Sequence, residues 1–220
     1  MEGVLRMIGR QALIPIFSHD DPEVCKKVLK AAYDGGCRLF EFTKRTDSAP
    51  AVFKALKAMT VKEMPDLYLG MGTILDKEST DYFIDAGADF IVSPITEEGM
   101  AMATAEKEVL WIPGCSTVNE IIRATRLGAR LIKLFPAQQL GGPSYIRAVR
   151  GPLPAVRIIP TGGVDPSLQN LKSWFDAGAF AVGMGSKLFR KDLVDKANYP
   201  DIADIINTSL ETIHQLRNKQ

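Results

Sequence analysis

One junction recurs along the chain and limits what it can fold into. Gly35-Gly36-Cys37-Arg38-Leu39, Ala86-Gly87-Ala88-Asp89-Phe90, Leu127-Gly128-Ala129-Arg130-Leu131 and Ala177-Gly178-Ala179-Phe180-Ala181 share one pattern. Each follows a helix-like segment and precedes an apolar run. Glycine there suits the left-handed turn that closes a helix. The apolar run suits a strand buried on both faces. Repetition of one helix-to-strand joint points to repeated βα units.

Reading outward from these joints gives eight strands, at 12–17, 37–43, 67–70, 89–93, 109–112, 131–135, 156–160 and 179–183. Helical segments lie between them, with start signals at Asp21-Pro22, Asp76 and Asp165-Pro166. Thr117 and Glu120 have the spacing of a capping box. Residues 201–218 read as one closing amphipathic helix. Eight such units at this tight period make an α/β chain of the (β/α)8 TIM-barrel class, with a short N-terminal extension. An open doubly wound sheet uses the same units, but no dinucleotide-type glycine fingerprint follows strand one. No linker or low-complexity tract interrupts the pattern, so one barrel domain over 1–220 is expected.

The function classes shrink on charge. A formal net charge of +1, with Lys and Arg scattered, makes no electrostatic case for nucleic acid or an anionic membrane. No apolar run reaches the ~18 residues of a membrane span, and the charged start, MEGVLRMIGRQ, does not read as a signal peptide. The three cysteines lack disulfide-scaffold or zinc-ligand spacing and read as reduced thiols, so a cytoplasmic protein is expected. His19 and His214 stand far apart without an acidic or cysteine cluster, which argues against a catalytic metal. Cys115 has no histidine partner and reads as inert.

In a barrel the chemistry sits at the C-terminal ends of the strands, so polar residues there are the ones to question. Strand six ends Ile132-Lys133-Leu134-Phe135. Desolvation disfavours a charged amine, and a neutral amine is a nucleophile towards ketones; the alternative is a structural ion pair. Strand two ends Phe40-Glu41-Phe42-Thr43-Lys44-Arg45. Alternation sends Glu41 and Thr43 to one side, inward if the phenylalanines pack against helices. A carboxylate near a lysine there can shuttle protons, or can simply pair with it. Arg45 is placed to clamp a substrate carboxylate. Strand three ends Gly70-Met71-Gly72-Thr73, where glycines let the backbone approach a ligand and Thr73 offers a hydroxyl. Strands seven and eight run into Thr161-Gly162-Gly163 and Gly183-Met184-Gly185-Ser186, where barrels commonly hold a phosphate; tight turns alone are the simpler reading.

Taken in order, Glu41-x-Thr43-x-Arg45-Thr46, Gly70-x-Gly72-Thr73, Ser93-Pro94, Pro113-Gly114-x-Ser116-Thr117, Ile132-Lys133-x-Phe135-Pro136-Ala137, Pro160-Thr161-Gly162-Gly163 and Gly183-x-Gly185-Ser186 form a specific series. The chain resembles the 2-dehydro-3-deoxy-phosphogluconate / 4-hydroxy-2-oxoglutarate aldolase family over about residues 10 to 190. The resemblance implies a homotrimeric class I aldolase, a carbon–carbon lyase without metal or other cofactor. Such an enzyme cleaves a 4-hydroxy-2-oxo acid to pyruvate and an aldehyde. It makes Lys133 the Schiff-base lysine, Glu41 the proton shuttle and Arg45 a carboxylate binder. Thr73, Thr161, Phe135 and Pro94 become substrate-binding residues, with Phe135 as a pocket wall, and Gly162, Gly163, Gly185 and Ser186 a phosphate site. Two positions depart from the family: Phe17-Ser18-His19 replaces the arginine or lysine many members carry after strand one, and Ile95 replaces a glycine after Ser93-Pro94. Both lie at the substrate end and bear on the aldehyde half. The rival expectations are a phosphate-sugar isomerase or epimerase on the same barrel, and a non-catalytic ligand-binding barrel.

Overall fold

The structure, a computed structural model, describes residues 1–218; the last two positions of the expected 1–220 domain lie outside the described residues. The chain opens with α1 (Glu2–Gln11), β1 (Leu13–Phe17), α2 (Pro22–Asp34), β2 (Leu39–Thr43) and α3 (Ala49–Glu63). It continues through β3 (Tyr68–Gly72), α4 (Lys77–Asp85), β4 (Phe90–Val92), α5 (Glu98–Glu106), β5 (Leu110–Ile112) and β6 (Gly114–Cys115). Then come α6 (Val118–Arg126), β7 (Ile132–Leu134), α7 (Pro143–Arg150), β8 (Ile158–Pro160), α8 (Leu168–Asp176) and β9 (Val182–Met184). Two helices, α9 (Lys191–Asp195) and α10 (Tyr199–Arg217), finish it. The result is an α/β fold of curled parallel sheet and ten helices. The N-terminal extension is itself a helix that buries Val4, Leu5 and Ile8.

The recurring joints are what they look like in the sequence. Gly36, Gly87, Gly128 and Gly178 have φ of 99°, 95°, 94° and 91°, a region costly for a residue with a Cβ. Helix starts follow side-chain caps: Asp21 accepts from the Glu23 amide, Asp76 from that of Ser79, and Thr117 with Glu120 completes the capping box. One start differs from expectation. Helix α8 is capped by Ser167, not begun at Asp165, whose carboxylate instead accepts from the amide and hydroxyl of Ser167 in a local turn.

All eight expected strands are present, and strand five, here β5, is followed by an unexpected two-residue strand, β6. Pro113 stands between them and has no N–H to give to a ladder. Its carbonyl still accepts from the Lys133 amide at 2.8 Å. The strands form a six-stranded sheet, β5-β4-β3-β2-β1-β9, and a three-stranded one, β6-β7-β8. Thr161, just past β8, bridges in parallel to Gly183 of β9. All five residues of β2 are buried, as a strand covered on both faces requires. Phe40, Phe42, Phe53, Phe83, Phe90 and Trp174 are the bulkiest enclosed side chains, each contributing on the order of 1.5–3 kcal/mol by burial.

The three cysteines are free and buried, and burial pushes the thiol of Cys115 up to about 11 and that of Cys25 up to about 12. An inert reading of Cys115 agrees with that. Among the described residues no helix is long and apolar enough to cross a membrane.

Candidate active site

Strand alternation aims one charged side chain from β7 and one from β2 at the same place. Ile132 and Leu134 pack one way and Lys133 the other; Phe40 and Phe42 flank Glu41 in the same manner. Lys133 is 8% exposed and Glu41 2%. The Lys133 Nζ lies 3.8 Å from Glu41 Oε1 and 5.4 Å from the centroid of the Phe135 ring. That separation from the carboxylate is too long for a hydrogen bond, and among the described residues Glu41 Oε1 has no hydrogen-bond partner. Burial pushes the Glu41 carboxyl above the usual carboxylate range, against the opposing pull of the Lys133 and Arg45 charges. A buried carboxylate oxygen without a donor is expensive, and at 3.8 Å the Lys133 amine offsets part of that cost through charge alone.

The space for Glu41 is made by its neighbour strand. A Cβ on Gly72 would lie 2.0 Å from Glu41 Oε1. The glycine expected to admit a ligand therefore admits the catalytic-candidate carboxylate instead. Thr73 follows it with φ 62°, a β-branched residue in the left-handed region. Such a conformation costs on the order of 1–3 kcal/mol and survives only when its surroundings hold it. On the other side, Gly114 is the register partner of Lys133, and a Cβ on it would meet the Pro94 carbonyl oxygen at 2.4 Å. Pro94 is thus packed behind the strand next to Lys133.

At the same ends of the strands lies a cavity of about 330 Å³. Arg45, Phe135, Thr161, Gly162, Gly185 and Ser186 all contribute to its wall, so six of the expected residues share one space. Gly163 belongs to an adjoining cleft of about 310 Å³ that shares Thr161, Gly162, Gly185 and Ser186 with the first. Lys133, Glu41, Thr73 and Pro94 are in the wall of neither. The two glycine turns meet as expected, with Gly162 and Gly163 at φ 95° and 82°. Among the described residues, the N–H groups of Gly162, Gly163 and Ser186 donate to no protein acceptor, which leaves them free for an anion.

Ile16 and Phe189 are wall residues that sequence reasoning did not single out. Phe17 packs edge-on against Phe189 at 5.2 Å, and both line the cavity with Ser18 and Thr43. The period of two already aligned Thr43 with Glu41; Phe189 carried no comparable signal, because it lies in a turn six residues after Gly183. A larger cavity, about 790 Å³, lies at the opposite ends of the strands among Arg10, Gln11, Arg38, Asp66, His214 and Arg217. Among the described residues no group of three His, Cys, Asp or Glu side chains is disposed to hold a metal ion.

This arrangement has known counterparts. Residues 4–205 match the family model described as KDPG and KHG aldolase. A KHG/KDPG aldolase of Escherichia coli (strain K12) is 31% identical over 199 residues, 90% of this chain and 91% of that protein. A 2-dehydro-3-deoxy-phosphogluconate aldolase of Pseudomonas aeruginosa is 31% identical over 205 residues, 93% of this chain and 90% of the relative. The structure of a KDPG aldolase from Legionella pneumophila, with pyruvate captured at low pH as a covalent carbinolamine intermediate, superposes with a TM-score of 0.84 at 25% identity. That match covers 95% of this chain and 98% of the other. The chain belongs to the KDPG and KHG aldolase family and is an aldolase, a carbon–carbon lyase.

Proposed function

We propose that this chain is a class I aldolase, cleaving a 4-hydroxy-2-oxo acid to pyruvate and an aldehyde through a Schiff base on Lys133. The observation that carries the reading is a buried amine 3.8 Å from a buried carboxylate at the strand ends, one of whose oxygens has no hydrogen-bond partner among the described residues. The relatives' names point to 2-dehydro-3-deoxy-6-phosphogluconate, 4-hydroxy-2-oxoglutarate or both as substrate. The carbinolamine in the Legionella neighbour is the adduct expected when an amine attacks the ketone of pyruvate.

In the cycle, Lys133 attacks the C2 ketone as a free amine, and the carbinolamine hydroxyl takes a proton from solvent and leaves as water to give an iminium ion. Ionised Glu41, acting through a water, takes the proton of the C4 hydroxyl. The C3–C4 electron pair moves into the iminium as the C4 oxygen becomes the carbonyl of the departing aldehyde. Glu41 returns its proton to C3 of the enamine, and hydrolysis of the new iminium frees pyruvate and Lys133. Arg45 holds the carboxylate end with Thr73 nearby, Thr161 and Phe135 shape the pocket, Pro94 backs the strand beside Lys133, and Gly162, Gly163, Gly185 and Ser186 hold a phosphate where the substrate carries one. The iminium itself is the electron sink, so the cycle calls on no metal or other cofactor.

The frame for this site is one closed (β/α)8 barrel domain. Pro113 alone separates β5 from β6 and its carbonyl keeps the ladder to β7, while the Thr161–Gly183 bridge joins β8 to β9. These contacts support closure of the two sheets into one. We also propose a cytoplasmic homotrimer. A 25%-identical chain from a cage designed by fusing symmetric oligomeric domains supports an oligomer, and light scattering tests the number. For the chemistry, the test is borohydride reduction in the presence of pyruvate followed by mass spectrometry. A stable adduct on Lys133 is expected; its absence sinks the Schiff-base reading and revives an isomerase on the same barrel.

A further inference from the structure

Lys187, next in the chain after Ser186, plays no part in that cycle. Yet it lines the 310 Å³ cleft beside the unpaired N–H groups of Gly162, Gly163 and Ser186. We infer that Lys187 is a specificity-determining residue, supplying the positive charge that selects a phosphate-bearing aldehyde half. The inference rests on the aldolase reading and names the part of the substrate that reading leaves open.

The charges in the two cavities divide cleanly. Arg45 lines the first, and its charge acts on the Glu41 carboxyl, so it belongs to the reacting end. Past strand one the wall is Phe17 and Ser18, with Phe17 packed on Phe189, and offers no cation. Backbone N–H groups orient a phosphate, but a group with nearly two negative charges at pH 7 calls for a counter-charge as well. Among the described residues lining the distal cleft, Lys187 is the one cation. It makes no ion pair among the described residues, whereas neighbouring Lys191 is held by Asp195 and Lys172 by Asp176. Asp165 also lines the cleft and brings negative charge, but one of its oxygens already accepts from both the amide and the hydroxyl of Ser167. A compact ammonium on a flexible stem suits a tetrahedral phosphate rather than a planar carboxylate.

The test compares wild type, Lys187→Gln and Lys187→Arg on a matched pair of 4-hydroxy-2-oxo acids, one ending in phosphate and one in hydroxyl. For Lys187→Gln the KM of the phosphorylated substrate should rise roughly 10- to 100-fold, the span of a hydrogen bond to a charged group, with kcat within about two-fold. The unphosphorylated substrate should be unaffected, Lys187→Arg should recover most of the loss, and inhibition by inorganic phosphate should weaken in the glutamine variant. Equal effects on both substrates, or none on either, overturn the assignment of Lys187. Pyruvate trapping on Lys133 is run alongside. Trapping that persists while phosphate selectivity is unchanged sinks only the Lys187 inference, whereas a wild type that fails to trap overturns the aldolase mechanism and this inference together.

Discussion

The two ends of the strands differ in what their polar groups have left to do. At the N-terminal ends lies the larger cavity, and most of its charges are already engaged. Arg38 pairs with Asp66, donates to the carbonyls of Tyr33 and Cys37, and stacks on the Tyr33 ring at 4.0 Å. Arg217 donates to the carbonyl of Gly9, and Gln11 bonds both the Leu13 carbonyl and the Arg38 amide. At the C-terminal ends the cavities are smaller, and among the described residues several groups are left over: a carboxylate oxygen without a donor, a threonine at positive φ, and free N–H groups on two glycine turns. Size does not mark the reactive end. Unmet hydrogen-bonding and electrostatic demand does, because a fold tolerates that cost only where something else selects for it.

Substitutions at the two ends should therefore separate activity from stability. Lys133→Met should have the largest effect, removing at least about 10⁴-fold in kcat together with borohydride trapping. Residual turnover near wild type would refute the division. Glu41→Gln should lower kcat by roughly 10²- to 10⁴-fold, and it should also change how activity and stability depend on pH. The base must be ionised, and burial raises its pKa, so the acid limb of wild-type kcat should fall above the ordinary glutamate value of about 4.3. For stability the sign runs the other way. The folded protein binds this proton more tightly than the unfolded chain does. The contribution is complete below the ordinary value and is lost as pH rises through the raised one. Glu41→Gln removes that loss, so the variant should gain stability over wild type only on the alkaline side, as denaturant melts at several pH values would show.

Gly72→Ala tests the crowding that holds the reactive end in place. Its methyl would strike Glu41 Oε1, so a loss of about 1–3 kcal/mol in unfolding free energy is expected, with a roughly ten-fold or greater fall in kcat. A fully active Gly72→Ala would show that Glu41 has another position to occupy. The smallest effect belongs to the opposite end. Arg38→Met should cost about 0.5–1 kcal/mol of stability, as a partly exposed pair does, while leaving kcat/KM within about two-fold. A large loss of activity there would mean that the two ends communicate.

How much of this could be read beforehand follows from the range of the forces involved. Helix-closing glycines, the Asp21, Asp76 and Thr117 caps, and the alternation around Lys133 and Glu41 are set within a few residues, and each was legible. Ser167 displacing Asp165 as the cap of α8 turned on which of two nearby side chains reached the amides first. The short strand β6 beyond Pro113 needed the neighbouring strands to show where the ladder passes. Gly72 was legible as a glycine but not for its reason, since the atom it makes room for comes from residue 41 on the next strand.

The sequence by itself determined the repeated unit, the family motifs and the two residues proposed as the reactive pair, because propensity, capping and periodicity act locally. The tertiary structure alone decided that Lys133 and Glu41 stand 3.8 Å apart with one carboxylate oxygen unpartnered. It also decided that Phe17 and Phe189 wall the cavity and that Lys187 reaches the distal cleft. Those facts depend on how strands far apart in the chain come into register. Packing and desolvation between them are properties of the assembled sheet, and no single segment encodes them.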